Sequence, residues 1–282
     1  MNAHTRPRPR RTLLAASLLG LMAVGGGSAS AVTRVSSGDP ALEADQILLQ
    51  MDVCCGFVPE VVRQLSMPTF TLYGDGTAIY RPQGGTFDAP PPLQQAQLSE
   101  AQIEDLIGFA LGAGGIAAAD ATYDNRFVTD QPTTTFTLDE FGVDKTVSVY
   151  ALGFPPPEPG PNDEELARLT RLGATLSDFD AWVADGGATA EGAYEPTQYL
   201  ATISPVSPDD TTPAAEWPIA DVTLAVPSEL SMEWVVLTLE QVAQVTTVPT
   251  GGVGGLIYET PDCGRASVTI RPMLPGEVIP ES

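Results

Sequence analysis

Gly74-Asp75-Gly76 separates two β-prone runs, Phe70-Thr71-Leu72-Tyr73 and Thr77-Ala78-Ile79-Tyr80. Glycines around an aspartate between such runs specify a tight reversal, so the stretch predicts an antiparallel hairpin. Phe70, Leu72 and Ile79 are expected to share its apolar face. A strand over 47–53 precedes it, and a second hairpin is predicted where 133–138 and 145–150 flank Phe141-Gly142-Val143-Asp144. Between the hairpins, Leu98-Ser99-Glu100-Ala101-Gln102-Ile103 opens a helix: Ser99 caps, Gln102 completes a capping box and Leu98 staples to Ile103. Ile103, Leu106, Ile107 and Ala110 supply one apolar face, and glycines from Gly112 to Gly115 end the helix. A helix packed on antiparallel hairpins buries both apolar faces. The fold class expected is therefore α+β, with a ββαββ-like N-terminal half.

Phe154-Pro155-Pro156-Pro157-Glu158-Pro159-Gly160-Pro161 interrupts this pattern as a stiff, extended connector. It divides the chain into a subdomain over 47–154, a connector over 155–161 and a second, mixed α+β subdomain over 162–282. After it, 163–184 reads as helix, with Leu166, Leu169, Leu172, Leu176, Phe179, Trp182 and Val183 near one stripe. Ser177-Asp178 can recap it, giving two short helices. A loop is expected over 189–195, then strands at 198–203, 221–226, 233–237, 255–259 and 266–271, with a short helix over 239–245. The segment 205–218 is polar and proline-rich.

The first 31 residues carry Arg6, Arg8, Arg10 and Arg11 and no acid, then an apolar run over 12–24 and a terminal Ala29-Ser30-Ala31. That order predicts a secretory signal peptide over 1–31, cleaved after Ala31, with a flexible lead-in over 32–46. Arg10-Arg11 leaves general secretion and the twin-arginine route both open. The apolar run is shorter than the about 20 residues that span a bilayer, so no stable membrane insertion is expected after signal removal. Cleavage would leave nine Lys+Arg against 36 Asp+Glu, a net charge of −27. Such a surface repels phosphate backbones and anionic lipid, and no nucleic-acid partner is expected. The expected location is secreted or cell envelope.

Cys54, Cys55 and Cys263 are the cysteines. Outside the cell a disulfide is the default. Adjacent cysteines bond each other only through a strained ring, so a bond from Cys54 or Cys55 to Cys263 is favoured. It would close a long loop and contribute about 2–4 kcal/mol. Three cysteines without histidine make a poor zinc site, and Cys54-Cys55 lacks the C-x-x-C spacing of redox motifs.

Several of these segments resemble uncharacterised exported bacterial proteins, commonest in actinobacteria. The resemblance rests on Leu72-Tyr73-Gly74-Asp75-Gly76, on Asp130-Gln131-Pro132-Thr133-Thr134, and on the closing Arg271-Pro272-Met273-Leu274-Pro275-Gly276-Glu277. It covers about residues 47–154 and the last dozen. It implies a fold of hairpins around one helix and implies no activity; the cysteines depart from it.

The expected mature chain has no histidine, since His4 precedes Ala31, and one lysine, Lys145. Ser-His-Asp and Cys-His catalysis are thereby excluded. Lys145 beside Asp144 reads as a solvated turn residue. Gly251-Gly252-Val253-Gly254-Gly255 follows Pro249 and opens no helix, so it is no phosphate-binding loop. Asp120, Asp124, Asn125 and Asp130 could furnish oxygen ligands for calcium, but the turn reading is preferred for them and for Asp75. Trp182 and Trp234 read as core, and Trp217 as the tryptophan most open to solvent. No cofactor, metal site or catalytic residue is assigned. The favoured function is a non-catalytic extracellular or envelope binding or structural protein with a protein or glycan partner. Two alternatives stand: a secreted hydrolase using paired carboxylates, and a protein inhibitor presenting the loops at 74–76 or 84–92.

Overall fold

The computed structural model describes residues 43–58, 63, 65–84, 91–140, 142–155, 157–158, 160–207, 209–224, 232–245, 256–260 and 264–279. The predicted signal peptide, the start of the lead-in, most of the 84–92 loop, Cys263 and the 251–255 glycine run lie outside the described residues. The fold is α+β, with two mixed sheets and few helices.

In chain order the elements are β1 (Ile47–Cys54), β2 (Phe70–Tyr73), β3 (Thr77–Tyr80), β4 (Gln94–Gln97), α1 (Glu100–Leu111), β5 (Thr122–Tyr123), β6 (Thr133–Glu140) and β7 (Val143–Tyr150). They continue as α2 (Asp163–Ser177), α3 (Phe179–Ala184), β8 (Thr189–Ala193), β9 (Gln198–Pro205), β10 (Ala215–Glu216), β11 (Glu233–Thr238), α4 (Leu239–Val242), β12 (Leu256–Thr260) and β13 (Gly264–Pro272). The first sheet runs β5-β7-β6-β1-β2-β3-β4-β8 and the second β10-β12-β13-β9-β11. The expected hairpins, β2–β3 and β6–β7, are antiparallel, and each sheet also holds one parallel pair, β5 with β7 and β10 with β12. Both parallel partners are two-residue strands at a sheet edge, placed there by long connections that no hairpin constrains.

Period-two alternation places one apolar layer across the first sheet. Register aligns Val147, Phe136, Met51, Phe70 and Tyr80 on five neighbouring strands, and all are buried. Phe179 of α3 stacks on this layer, its ring centroid 4.7 Å from that of Phe70 and 5.0 Å from that of Tyr80. Leu169, Leu172 and Leu176 of α2 and Leu106, Ile107 and Ala110 of α1 complete the core. Gly173 sets how closely α2 approaches: a Cβ there would lie 3.1 Å from Leu152 Cδ2 and 3.5 Å from Phe136 Cζ.

Ile79 does not join Phe70 and Leu72. The register pairs Phe70 with Tyr80 and Leu72 with Ala78, so Ile79 faces the other side of the sheet, beside Tyr73 and Leu274. The turn itself forms as expected, with Thr77 N–H donating to Asp75 Oδ1 at 2.8 Å and Gly76 at φ +85°. Its tip is held down by Gln97 Nε2 donating to Asp75 O and Leu98 N–H to Gly76 O.

α1 starts where the capping pattern places it, with Ser99 N–H donating to Gln102 Oε1 at 2.9 Å. The Gln102 amide then donates to Gly186 O, tying α1 to the turn after α3. Because α2 and α3 share the core of the first sheet, the change from one hydrophobic core to the next falls between β8 and β9, not at the proline connector. All described residues belong to one compact unit. The loop expected over 189–195 contains β8, which pairs with β4, itself unpredicted. Both are short and polar or small, so neither carries an apolar alternation for a sequence reading to find. The strand expected over 221–226 is absent from 221–224, where Val222 O instead accepts from Trp217 Nε1 at 2.9 Å.

Among the described residues no helix is long and apolar enough to cross a membrane.

Candidate functional site

β7 ends at Tyr150, and the chain turns through Ala151-Leu152-Gly153 into the proline connector. Ala151 adopts φ +57° and Gly153 φ +88°, with Ala151 N–H donating to Pro132 O and Phe154 N–H to Ala151 O. A cleft of about 690 Å³ lies beside this turn. Val149, Ala151, Leu152, Leu166 and Ala167 line it, together with Phe154, Pro155, Pro157 and Phe127. Its volume lies within the about 300–1,000 Å³ of ordinary ligand sites.

A smaller cleft of about 330 Å³ adjoins it through the shared residue Tyr150, with Cys54, Cys55, Gly56, Phe57 and Asp130 in its walls. Gly56, at φ +52°, lets the chain after β1 press against the 130–132 backbone; a Cβ there would sit 2.9 Å from Asp130 O. Phe57, Phe127 and Phe154 are 89%, 68% and 48% exposed. They are the exposed phenylalanines among the described residues, and every one borders these two clefts.

The polar groups of the larger cleft are occupied within the protein. Tyr123 hydroxyl donates to Glu165 Oε2 at 2.8 Å and accepts from Asp120 N–H at 2.7 Å. Burial, reinforced by the Glu165 bond, pushes the phenol up to about 12. Asn125 donates to Phe154 O through Nδ2 and accepts from Phe127 N–H through Oδ1. Thr170 donates to Leu166 O, and Asp163 Oδ2 accepts from Gly160 N–H. Tyr150 hydroxyl accepts from Gln131 N–H and donates to Val128 O. Asp124 carries Arg126 at 3.1 Å in an exposed pair, a contact worth little in water.

The residues singled out by sequence land in different places. Asp124 and Asn125 line the larger cleft, Asp130 the smaller one, and Asp120 meets Tyr123 through its backbone. Asn125 Oδ1 accepts from Phe127 N–H, and one oxygen of Asp124, Oδ2, accepts from Arg126 Nε. Among the described residues no cluster of three or more metal-ligating side chains occurs.

The sulfurs of the adjacent Cys54 and Cys55 lie in contact where β1 ends. The partner of the favoured pairing, Cys263, lies outside the described residues. Cys54 is the last ladder position of β1, opposite Thr133, and Cys55 follows where the strand ends.

Lys145 stands within β7, not in the turn, and its Nζ donates to Ala117 O. Trp182 packs against the first core and Phe109. Trp217, expected in solvent, instead packs on Tyr258 of the second core at 5.1 Å between centroids. Trp234 lies on the face of β11 opposite the core-facing Val235 and Leu237. None of the tryptophans lines a cleft. The aromatic residues that do were missed, and their signal was position: Phe57, Phe127 and Phe154 interrupt polar or proline-rich loops where no apolar period explains them.

No protein-family model, no curated protein and no solved structure matches this chain.

Proposed function

We propose that the chain is an exported, non-catalytic binding protein of the cell envelope or extracellular space, and that the two clefts joined at Tyr150 are its binding surface. One observation carries the reading: the exposed phenylalanines converge on one end of the first sheet, around concave apolar space. Soluble chains rarely leave several aromatics in water on one patch without a partner to cover them. The arginine-rich start, the apolar run and Ala29-Ser30-Ala31 support export.

In the 74–76 loop of the inhibitor alternative, Asp75 is exposed, Gly76 is buried and the tip is bonded to Gln97 and Leu98. A hydrolase would need carboxyls free to face a substrate. In the larger cleft the carboxyls are Asp124 and Asp163, one oxygen of each engaged, by Arg126 and by Gly160 N–H.

The test compares the tagged parent chain with a Phe127→Ser/Phe154→Ser variant in crosslinked capture from the producing cells. A partner held by the parent and lost by the variant is expected. Equal capture by both would remove the clefts from the binding surface, and hydrolase activity lost on changing one carboxylate would end the non-catalytic reading.

A further inference from the structure

The chemistry of the clefts narrows what they can hold. A sugar needs donors and acceptors that are free to exchange its hydroxyls for water. In the larger cleft the hydroxyls of Tyr123, Tyr150 and Thr170 and both ends of the Asn125 amide are spent internally. Phe127, Phe154, Pro155 and Pro157 in its lining have no polar side-chain group. Apolar side chains gain from such a surface and sugars do not.

Charge supplies the other half. Asp124, Asp130 and Asp163 line the clefts, and Glu158 stands exposed on the connector above them. Arg126 offsets one of these acids, and Arg168 on the adjoining helix is paired to Glu164. The chain as a whole carries −23. A cation placed here meets aromatic faces and carboxylates together, the arrangement that attracts Lys and Arg most strongly.

We propose that the joined clefts receive a cationic, apolar peptide segment, an aliphatic or aromatic side chain seated between Phe154 and Leu166 with Lys or Arg beside it against Asp124 and Asp130. The proposal rests on the reading of the clefts as the binding surface and names the occupant. Three labelled peptides test it by fluorescence anisotropy with the purified chain: acetyl-Lys-Leu-Lys-Phe-Lys-Leu-Lys-amide, the same peptide with glutamate for lysine, and the same with serine for leucine and phenylalanine. Chitohexaose is the sugar probe, followed by amide chemical-shift mapping.

Only the first peptide should bind. Phe127→Ser with Phe154→Ser should weaken it at least about tenfold, as loss of aromatic anchors does. Asp124→Asn with Asp130→Asn should weaken it about three- to tenfold and flatten its salt dependence. These positions are exposed, and asparagine tolerates the φ of +62° at Asp130. Thermal melts matching the parent confirm that the variants fold. Equal binding by the phenylalanine variant would reduce the effect to attraction by an acidic surface and overturn the proposal. Chitohexaose shifting the cleft amides while the cationic peptide does not would overturn the peptide occupant and leave the clefts as the binding surface. Failure of all peptides to bind overturns the occupant alone, since the capture experiment judges the clefts separately.

Discussion

Arg271 grips Glu277 with both ends of its guanidinium, Nη1 donating to Oε2 at 3.0 Å and Nη2 to Oε1. Glu277 Oε2 also accepts Leu274 N–H at 3.0 Å, and Arg271 Nη1 donates to Pro272 O. The closing Arg-Pro-Met-Leu-Pro-Gly-Glu segment is thus a loop fastened at its two ends. It presses Leu274 against Tyr73 and Ile79 on the first sheet, while Tyr194 hydroxyl donates to Met273 O. A motif that reads as a mere ending in sequence is a clasp in the fold.

Breaking that clasp should be costly, because the side chains of Arg271 and Glu277 are only 12% and 22% exposed. Removing one partner of a largely buried pair strands the other. Arg271→Ala should lower unfolding stability by about 2–4 kcal/mol in urea titration. A loss below about 0.5 kcal/mol would place the pair among ordinary surface contacts.

Asp52 predicts the opposite sign. It sits on β1 with Oδ1 buried and unpartnered, and burial raises its pKa above the usual 3.8 despite the opposing Val53 backbone bond. A raised folded-state pKa means that its stabilising contribution is complete below 3.8 and is lost as pH rises through the folded value. At neutral pH the buried charge therefore costs stability. Asp52→Asn should raise stability at pH 7 by up to about 1 kcal/mol, allowing for solvent around a partly exposed group. The difference between variant and parent should shrink as pH falls through the raised folded-state value and level off below 3.8. Melts of both chains across the acid range check the sign.

Tyr123 joins β5 to α2 at the wall of the larger cleft. Its pKa is pushed up to about 12 from 10.0, so the folded chain holds the proton that the unfolded chain releases first. Stability from this group is complete below pH 10 and is lost as pH climbs toward 12. Tyr123→Phe should cost about 1–2 kcal/mol at neutral pH, leaving Asp120 N–H and Glu165 without a partner. It should also abolish this group's share of the alkaline loss, visible as a flatter stability curve above pH 10.

The cysteines give a covalent test. Peptide mapping without reduction should find Cys54 linked to Cys55 and Cys263 open to alkylation. A fragment joining Cys263 to either neighbour would replace the vicinal bond with the long-range one.

The alternation of 133–138 and 145–150, the Gly-Asp-Gly turn, the Ser99 cap and the leucine stripe from Leu166 to Leu176 were enough to place most strands and helices. Each is a short-range signal: side-chain period, turn geometry and capping act within a few residues, so they are written locally. What faces what was not. Ile79 changed sides through the strand register, Trp217 found Tyr258, and β4 and β8 became strands only because an edge was available to them. Gly173 shows why the domain boundary misled. The connector looked like a division, yet the gap that a side chain at Gly173 would fill lets α2 lie down on Phe136 and Leu152, returning the chain to the first core. The clefts have the same origin. Phe57, Phe127 and Phe154 come from three loops with no local relation, and only the tertiary structure decides that they meet, because burial and pairing are settled between segments distant in sequence. The sequence by itself determined charge, hairpins, caps and the single histidine, His4; folding in space decided the clasp at Arg271 and the aromatic mouth around Tyr150.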